Sequence, residues 1–244
     1  MLEVRNLSKF FGGLKAVDGL SFSVAQGEFV GVIGPNGAGK TTLMDLITGY
    51  LRPTSGEVLF EGSSVSGLAP YRISHRGVGR TFQVVRPFSE MSVEDNVMTG
   101  ALFSGSRTNS LAKARKAAEL PMELTGLAHK RHMQAGALTL GEKKKLELAR
   151  ALATQPRLLL LDEVMGGVNR GEVDDLMVVL RRIHQAGVTV VMIEHLVEII
   201  MALSKRVVVL NFGRKLFEGT PSEVMVHPEV IESYLGRPLE VDAA

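Results

Sequence analysis

The most informative stretch of the sequence is Gly34-Pro35-Asn36-Gly37-Ala38-Gly39-Lys40-Thr41, hereafter the phosphate loop. It matches the pattern G-x-x-x-x-G-K-[ST], follows the apolar run Phe29–Ile33 and opens a helical pattern from Lys40 to Tyr50. Glycines in such a loop let backbone N–H groups surround a phosphate, and the N-terminus of the following helix adds unpaired donors. We therefore predict that the loop binds the phosphates of a nucleotide, with Lys40 on the outer phosphates and the Thr41 hydroxyl on Mg²⁺.

Strand-like and helical patterns alternate along the rest of the chain. Arg157–Leu161 precedes a helical stretch at Glu172–His184, and Thr189–Ile193 precedes another at Leu196–Leu203, after which Arg206–Leu210 is again strand-like. This alternation favours a parallel α/β sheet covered by helices on both faces.

The character of the sequence changes between about residues 84 and 152. Ala, Leu, Lys, Arg and Glu dominate Arg107–Lys145, where no strand pattern is evident. We predict that 84–152 forms a helical subdomain inserted into one domain that covers residues 1–244. Lys143, Lys144 and Lys145 are consecutive on a predicted helix and point about 100° apart, which favours a solvated helix surface for them.

Composition excludes several classes of protein. The 244 residues include 28 basic and 26 acidic side chains, and the near-zero balance argues against binding nucleic acid through bulk charge. The absence of cysteine excludes a disulfide framework and any thiolate-ligated metal site. Apolar runs are short, and the first ten residues lack the pattern of a secretory signal. We expect a soluble intracellular chain that reaches a membrane only through a partner.

Two carboxylates follow an apolar strand at Leu158–Leu161. Asp162 stands where a strand-end carboxylate can hold Mg²⁺, and Glu163 could polarise an attacking water as a general base. The alternative is an acidic pair that merely lines the mouth of a sheet. His195 follows a second buried strand, where a histidine can serve as a γ-phosphate sensor or as a structural hydrogen-bonding group.

Two further segments make the chain resemble the ATP-binding subunits of ABC transporters over nearly its whole length. Thr81–Gln83 resembles the glutamine loop of that family, and Leu138–Glu142 resembles its signature motif, hereafter the signature segment. The phosphate loop, Gln83, the signature segment, the acidic strand and His195 follow in the family's order. Phe11 stands before two glycines, where the family places an aromatic residue that stacks on adenine.

The resemblance implies a fold and a set of partners. The implied fold is α/β, a P-loop nucleotide triphosphatase core of ABC ATPase type with an N-terminal antiparallel β-region and an inserted helical subdomain. ATP and Mg²⁺ are the implied ligands, bound in a head-to-tail dimer with a second ATPase subunit, the same chain or a related one. The resemblance implies transmembrane permease subunits as direct partners and a solute-binding protein as an indirect partner. It does not imply binding to nucleic acid. The implied location is the cytoplasmic face of the inner or plasma membrane.

The resemblance also implies three groups of site residues. The residues implied to bind nucleotide are Phe11, Gly34, Pro35, Asn36, Gly37, Ala38, Gly39, Lys40, Thr41, Thr42, Thr139, Gly141 and Glu142. Those implied to act in catalysis are Glu163, His195, Lys40 and Gln83, and those implied to hold the metal are Thr41, Gln83 and Asp162. In the family, the signature segment binds the γ-phosphate held by the opposite subunit, and Gln83 would also sense the membrane subunit.

Three positions depart from the family pattern. Leu140 replaces a residue of the usual Leu-Ser-Gly-Gly-Gln signature, Val164 stands where proline usually follows the catalytic glutamate, and Asn169 replaces the usual aspartate. These departures affect the tuning of the dimer contact. We expect hydrolysis to survive, because Lys40, Asp162, Glu163 and His195 are all present; a regulator that binds nucleotide without hydrolysing it is the alternative.

Within the family, the likeness is to ATPase subunits of branched-chain amino-acid uptake systems. It rests on Gly79–Phe88 and on the ending Gly219–Val224 through Val230–Gly236. Solute identity follows from this analogy alone. The alternatives are the ATPase of a lipid or lipopolysaccharide exporter and a soluble ABC ATPase acting on DNA or ribosomes. The second is disfavoured because the interval from Gln83 to Thr139 is too short for a long coiled coil.

Overall fold

The structure, a computed structural model, describes residues 1–105 and 110–235. Residues 106–109 of the predicted helical subdomain and Gly236 of the family-like ending lie outside the described residues. The chain divides into two compact units, one formed by Met1–Gly67 with Met192–Ala244 and the other by Leu68–Val191.

An antiparallel sheet forms the N-terminal part of the first unit. Its strands, in the order β2-β1-β4-β5, are β1 (Leu2–Phe11), β2 (Leu14–Val24), β4 (Ser55–Phe60) and β5 (Ser63–Ser64). Leu2 pairs with Val24 on one side and with Phe60 on the other, and all three side chains are buried. This sheet confirms the expected antiparallel β-region.

A second group of strands in the first unit carries the phosphate loop. Its members, in the order β10-β9-β3, are β3 (Phe29–Ile33), β9 (Arg206–Asn211) and β10 (Arg214–Gly219). β3 is buried along its whole length and pairs in parallel with β9, as its continuous apolar sequence predicts. The helices of this unit are α1 (Lys40–Ile47), α7 (Val197–Leu203), α8 (Pro221–Val226) and α9 (Pro228–Leu235).

The second unit combines parallel strands with helices. Its strands are β6 (Val78–Arg80) and β7 (Leu158–Asp162), which pair in parallel, and β8 (Thr189–Ile193), which continues past the end of the unit. Its helices are α2 (Pro70–Ser74), α3 (Val93–Leu102), α4 (Leu111–Leu124), α5 (Leu140–Ala153) and α6 (Arg170–Gln185), and short 3₁₀ turns lie at Ala128–Lys130 and Ala135–Ala137.

Helices α3, α4 and α5 share an apolar core. Val97, Ala118, Met122 and Leu146 are buried together in it, which explains why the alanine- and leucine-rich stretch between the strands folds as packed helices. The α/β class, the antiparallel region and a helical region are therefore confirmed, while the limits of a subdomain at 84–152 stay a prediction. Across residues 1–105 and 110–235, none of the helices has the length and apolar character that crossing a membrane requires.

Candidate nucleotide site

The phosphate loop has the backbone conformation that its glycines allow. Gly39, the residue before α1, has φ 96°, and Gly37 has φ 80°, values that favour glycine. A Cβ on Gly39 would lie 2.3 Å from the carbonyl oxygen of Ala16. Because both space and torsion exclude a side chain at Gly39, this glycine fixes the path by which the loop enters α1.

Lys40 reaches back over the loop from the first position of α1. Its side chain is buried, and its Nζ donates to the carbonyl oxygens of Gly34 at 2.6 Å and Pro35 at 3.1 Å. Thr41 and Thr42 follow in the first turn of the helix, with Thr41 exposed. The ammonium group therefore lies at the loop itself, where a nucleotide phosphate could exchange with the carbonyl contacts.

The C-terminal helix α9 adjoins the phosphate loop. A cavity of about 880 Å³ is lined by Pro35–Ala38 on one side and by Glu229, Glu232 and Ser233 of α9 on the other. Burial raises the pKa of Tyr234 to about 12, although its hydrogen bond with the backbone of Gly34 opposes this effect. Sequence reasoning used this ending only as a family marker and did not place it beside the loop.

The other predicted residues of the first unit occupy surface positions. Phe11 is 46% exposed at the end of β1, and the Nζ of Lys9 lies 5.0 Å from the centre of its ring. His195 is exposed and follows β8 by two residues. An exposed aromatic face at Phe11 is compatible with stacking on a base.

Asp162 and Glu163 differ sharply in their surroundings within the second unit. Asp162 ends β7 and is buried, and its Oδ2 accepts from Nη2 of Arg80 at 2.9 Å in an ion pair with both side chains less than one-tenth exposed. Glu163 has φ 49°, a left-handed conformation that costs energy for a residue with a side chain. The chain thus turns abruptly after Asp162 and directs the two carboxylates to different partners.

Gln83 meets Glu163 across the second unit. Its Nε2 donates to Oε2 of Glu163 at 2.5 Å, although the two residues are 80 positions apart in sequence. The structure thus brings together the residue proposed to sense the permease and the residue proposed to activate water. The amide oxygen of Gln83 is the side-chain atom that this contact leaves for Mg²⁺.

Lys144 corrects the interpretation of the three lysines as a solvated surface. It is 3% exposed, and its Nζ donates to the carbonyl oxygens of Gln83 at 2.9 Å and Glu163 at 3.5 Å. Lys143 and Lys145 are partly exposed, as predicted. The signal was present in the sequence, because Lys144 falls in the same helical stripe as Gly141 and Leu148, which are both buried.

Glu147 supports the glutamine loop from the next turn of α5. Its Oε1 accepts from the backbone N–H of Phe82 at 2.7 Å. Burial raises the pKa of Glu147, and this effect outweighs the hydrogen bond from Phe82 and the nearby charges of Lys144 and Arg150. Residues on α5 therefore hold the glutamine loop at both Phe82 and Gln83.

The signature segment forms the N-terminus of α5. Thr139 is the N-cap and forms a capping box with Glu142: its Oγ1 accepts from the backbone N–H of Glu142, whose carboxylate accepts from the backbone N–H of Thr139. Burial raises the pKa of Glu142, but the hydrogen bonds from Lys130 and Thr139 lower this pKa by a larger amount. The net pKa of Glu142 therefore lies below its ordinary value. Glu172 of α6 also contacts Thr139 and Gly141.

The predicted site residues fall into two sets. The first unit holds Phe11, the phosphate loop, Thr42 and His195, and the second holds Gln83, Thr139, Gly141, Glu142, Asp162 and Glu163. Within the described residues, no group of three or more His, Cys, Asp or Glu side chains is arranged to hold a metal. The hydroxyl of Thr41 in the first unit, and the Asp162 carboxylate and Gln83 amide in the second, carry hard oxygen atoms of the kind that suit Mg²⁺, and their role as its ligands stays a prediction.

Comparison with protein families gives two matches. Residues 17–166 match the model of the ABC transporter family, and residues 214–239 match a model described as branched-chain amino acid ATP-binding cassette transporter. The first match covers more than half of the chain. The second covers β10, α8 and α9, the helix beside the phosphate loop.

Named relatives span nearly the whole chain. It is 39% identical to the high-affinity branched-chain amino acid transport ATP-binding protein BraF of Pseudomonas aeruginosa, over 97% of this chain and 98% of the relative. It is 39% identical, over the same shares, to LivG of Escherichia coli, which bears the same description. A probable LivG of Methanocaldococcus jannaschii is 35% identical over 97% of both chains.

Solved structures agree with the fold. A nucleotide-free ATP-binding cassette from an ABC transporter superposes with a TM-score of 0.86 at 32% identity, over 97% of this chain and 99% of the other. An ATP-binding cassette of an ABC transporter in its ADP conformation gives 0.87 at 32% identity, over the same shares.

Proposed function

Since the chain belongs to the ABC transporter family, we propose that it is the ATP-binding and ATP-hydrolysing subunit of a transporter for branched-chain or related amino acids. The observation that carries the hydrolytic role is the hydrogen bond between Gln83 and Glu163, which holds a general base beside a polar amide. The substrate assignment is supported by the descriptions of BraF and LivG and by the C-terminal family match.

ATP binds first through its phosphates. The N–H groups of the phosphate loop and the N-terminus of α1 surround the β- and γ-phosphates, and Lys40 neutralises charge on their oxygens. Phe11 stacks on the adenine. His195 contacts the γ-phosphate, where a hydrogen-bond donor favours the charge that develops as the phosphoryl group is transferred.

Hydrolysis then follows by in-line attack of water on the γ-phosphorus. Glu163 accepts a proton from the water, the new P–O bond forms, and the bond to the β–γ bridging oxygen breaks to give ADP and inorganic phosphate. Gln83 orients the carboxylate of Glu163, and Lys144 orients Gln83 through its backbone carbonyl. Thr41, Asp162 and Gln83 would provide oxygen ligands for Mg²⁺, and the bound ion would supply neutralisation of phosphate charge.

A second ATPase subunit completes the site in this proposal. Thr139, Gly141 and Glu142 of one subunit face the γ-phosphate bound by the other, so that ATP holds the two subunits together and hydrolysis releases them. The glutamine loop faces permease subunits that anchor the chain at the cytoplasmic face of the membrane, and a solute-binding protein delivers the amino acid to them.

Uptake of radiolabelled leucine by the native cells tests the proposal. In Lys40→Ala, leucine uptake falls to background while the chain still co-purifies with its permease. Lys116→Ala, the same exchange at an exposed position of α4, retains uptake and serves as the matched control. Wild-type uptake in Lys40→Ala contradicts the proposal, and co-purification with an export complex overturns the direction of transport and the substrate class.

A further inference from the structure

We infer that Glu172 is an internal anion that occupies the γ-phosphate position of the signature segment and has to leave before nucleotide is clamped there. The inference rests on the proposed function and assigns a regulatory residue to that same site. It concerns α5 and α6 of the second unit, whose side chains meet at Glu172.

The contacts of Glu172 are those expected of a bound phosphate. Its Oε1 accepts from Oγ1 of Thr139 at 3.1 Å and from the backbone N–H of Gly141 at 3.2 Å. These two donors are the groups that the proposed function directs at the γ-phosphate of the opposite nucleotide. One carboxylate oxygen thus satisfies both donors.

The fit between Glu172 and Gly141 is close. A Cβ on Gly141 would lie 2.7 Å from both Cδ and Oε1 of the carboxylate, so the carboxylate occupies the space that a side chain at position 141 would need. The N-terminus of α5 favours negative charge there, because the first N–H groups of a helix have no carbonyl partner in the preceding turn and its dipole is positive at this end. A γ-phosphate and the carboxylate cannot share this position, since they are like charges that require the same donors.

Glu172 also connects the signature segment to the loop that follows Glu163. Its Oε2 accepts from the backbone N–H of Asn169 at 3.1 Å, and Oδ1 of Asn169 accepts from the backbone N–H of Glu172 at 3.0 Å, which is the capping box of α6. When the carboxylate leaves the signature segment, the Asn169 end of the loop also loses its connection to that segment. Nucleotide clamping is thereby linked to the position of the chain just beyond the general base.

Competition of this kind lowers the apparent affinity of the clamped state. Only the fraction of molecules in which Glu172 has left can accept the γ-phosphate, so the half-saturating ATP concentration rises by the inverse of that fraction. Removing the carboxylate therefore tightens ATP retention, whereas removing an ordinary structural contact does not.

The test uses the transporter complex purified through a tag on this chain. All samples carry Glu163→Gln to block hydrolysis, and the ATP retained after rapid gel filtration is measured against ATP concentration. Glu172→Ala lowers the half-saturating concentration at least about threefold. Glu172→Gln shifts it in the same direction by less, because the amide oxygen can still accept from Asn169 but carries no charge.

Asp175→Asn is the matched control. Asp175 pairs with Lys145 at 3.0 Å and so joins the same two helices one turn further along, away from the signature donors. The inference is overturned if both Glu172 variants match Asp175→Asn or need more ATP. If the melting temperature shows that Glu172→Ala is unfolded, Glu172→Gln decides. A different result would contradict the proposed function, namely that Lys40→Ala retains as much ATP as the Glu163→Gln chain in which it is made.

Discussion

The Nζ of Lys144 donates to the backbone carbonyl of Gln83 at 2.9 Å, and Gln83 in turn donates to Glu163 at 2.5 Å. A buried lysine on α5 thus reaches the proposed general base both through Gln83 and through the carbonyl oxygen of Glu163, at 3.5 Å. Because α5 begins at the signature segment, the same helix that would meet the opposite nucleotide also positions the glutamine loop. The signature segment and the glutamine loop are therefore connected through one helix, α5.

Replacing Lys144 tests this connection. Lys144→Met keeps most of the buried stem but removes the donor, so the glutamine loop loses one of its attachments. We expect ATP binding within about twofold of wild type and turnover reduced about tenfold, because misplacement of a catalytic group acts on the chemical step. Steady-state ATP hydrolysis by the purified complex is the measurement. Lys143→Met, at the neighbouring, partly exposed position, is the control, and equal turnover in the two variants would contradict the connection.

The ion pair between Arg80 and Asp162 is the subject of a second prediction. Arg80→Met leaves the buried Asp162 carboxylate without this partner, which typically costs about 3–5 kcal/mol for a buried pair. We expect a lower free energy of unfolding and a higher Mg²⁺ requirement for ATP hydrolysis, since the orientation of the carboxylate is no longer held. Chemical denaturation and a Mg²⁺ titration of activity measure the two effects. Arg5→Met removes an exposed arginine from its pair with the exposed Glu3 and is expected to cost less than about 1 kcal/mol. A similar cost for both variants would show that Arg80 does not support Asp162.

A third prediction concerns Glu28 and Arg206. Arg206 donates to both carboxylate oxygens of Glu28, at 2.6 and 2.7 Å, and also pairs with Glu218. Burial raises the pKa of Glu28, but the hydrogen bonds from Arg206 and from the backbone N–H of Ala25 lower this pKa by a larger amount. The net pKa of Glu28 therefore lies below its ordinary value of 4.5.

The sign of the pH dependence follows from this lowered pKa. Ionised Glu28 stabilises the fold above about pH 4.5, and this contribution is lost as the pH falls through the lower pKa of the folded state. Glu28→Gln should therefore cost about 1–2 kcal/mol at pH 7, and its difference from wild type should shrink progressively below pH 4.5. Urea denaturation at a series of pH values measures this difference. A difference that stays constant down to pH 3 would contradict the role of the ion pair.

Much of the fold could be predicted from short-range patterns. Thr189–Ile193 and Phe29–Ile33 are continuous apolar runs bounded by turn residues, and both are strands with the predicted limits. The helix that opens at Lys40 ends at Ile47 rather than Tyr50, because apolar periodicity does not mark where a helix stops. The phosphate loop could be predicted because its glycines, lysine and hydroxyl residue lie together in the sequence.

The long-range partners of the site residues could not be predicted from local sequence patterns. Arg80 and Asp162 are 82 positions apart, and nothing local in either segment specifies the other. Glu172 has an ordinary capping-box pattern with Asn169, and its second set of contacts exists only because α5 and α6 meet in space. The charge of Lys144 predicts an exposed position, whereas its place in the buried stripe of α5 determines where it lies.

In the proposed function, this chain hydrolyses ATP with Glu163 as the general base. The most direct measurement is the rate of ATP hydrolysis by the purified complex carrying Glu163→Gln, with nucleotide binding measured in parallel. Glu119→Gln, the same exchange at an exposed position of α4, is the matched control. We expect Glu163→Gln to bind ATP with wild-type affinity or tighter and to hydrolyse it at least about a hundredfold more slowly, the usual contribution of a general base. Hydrolysis at the rate of Glu119→Gln would contradict the claim.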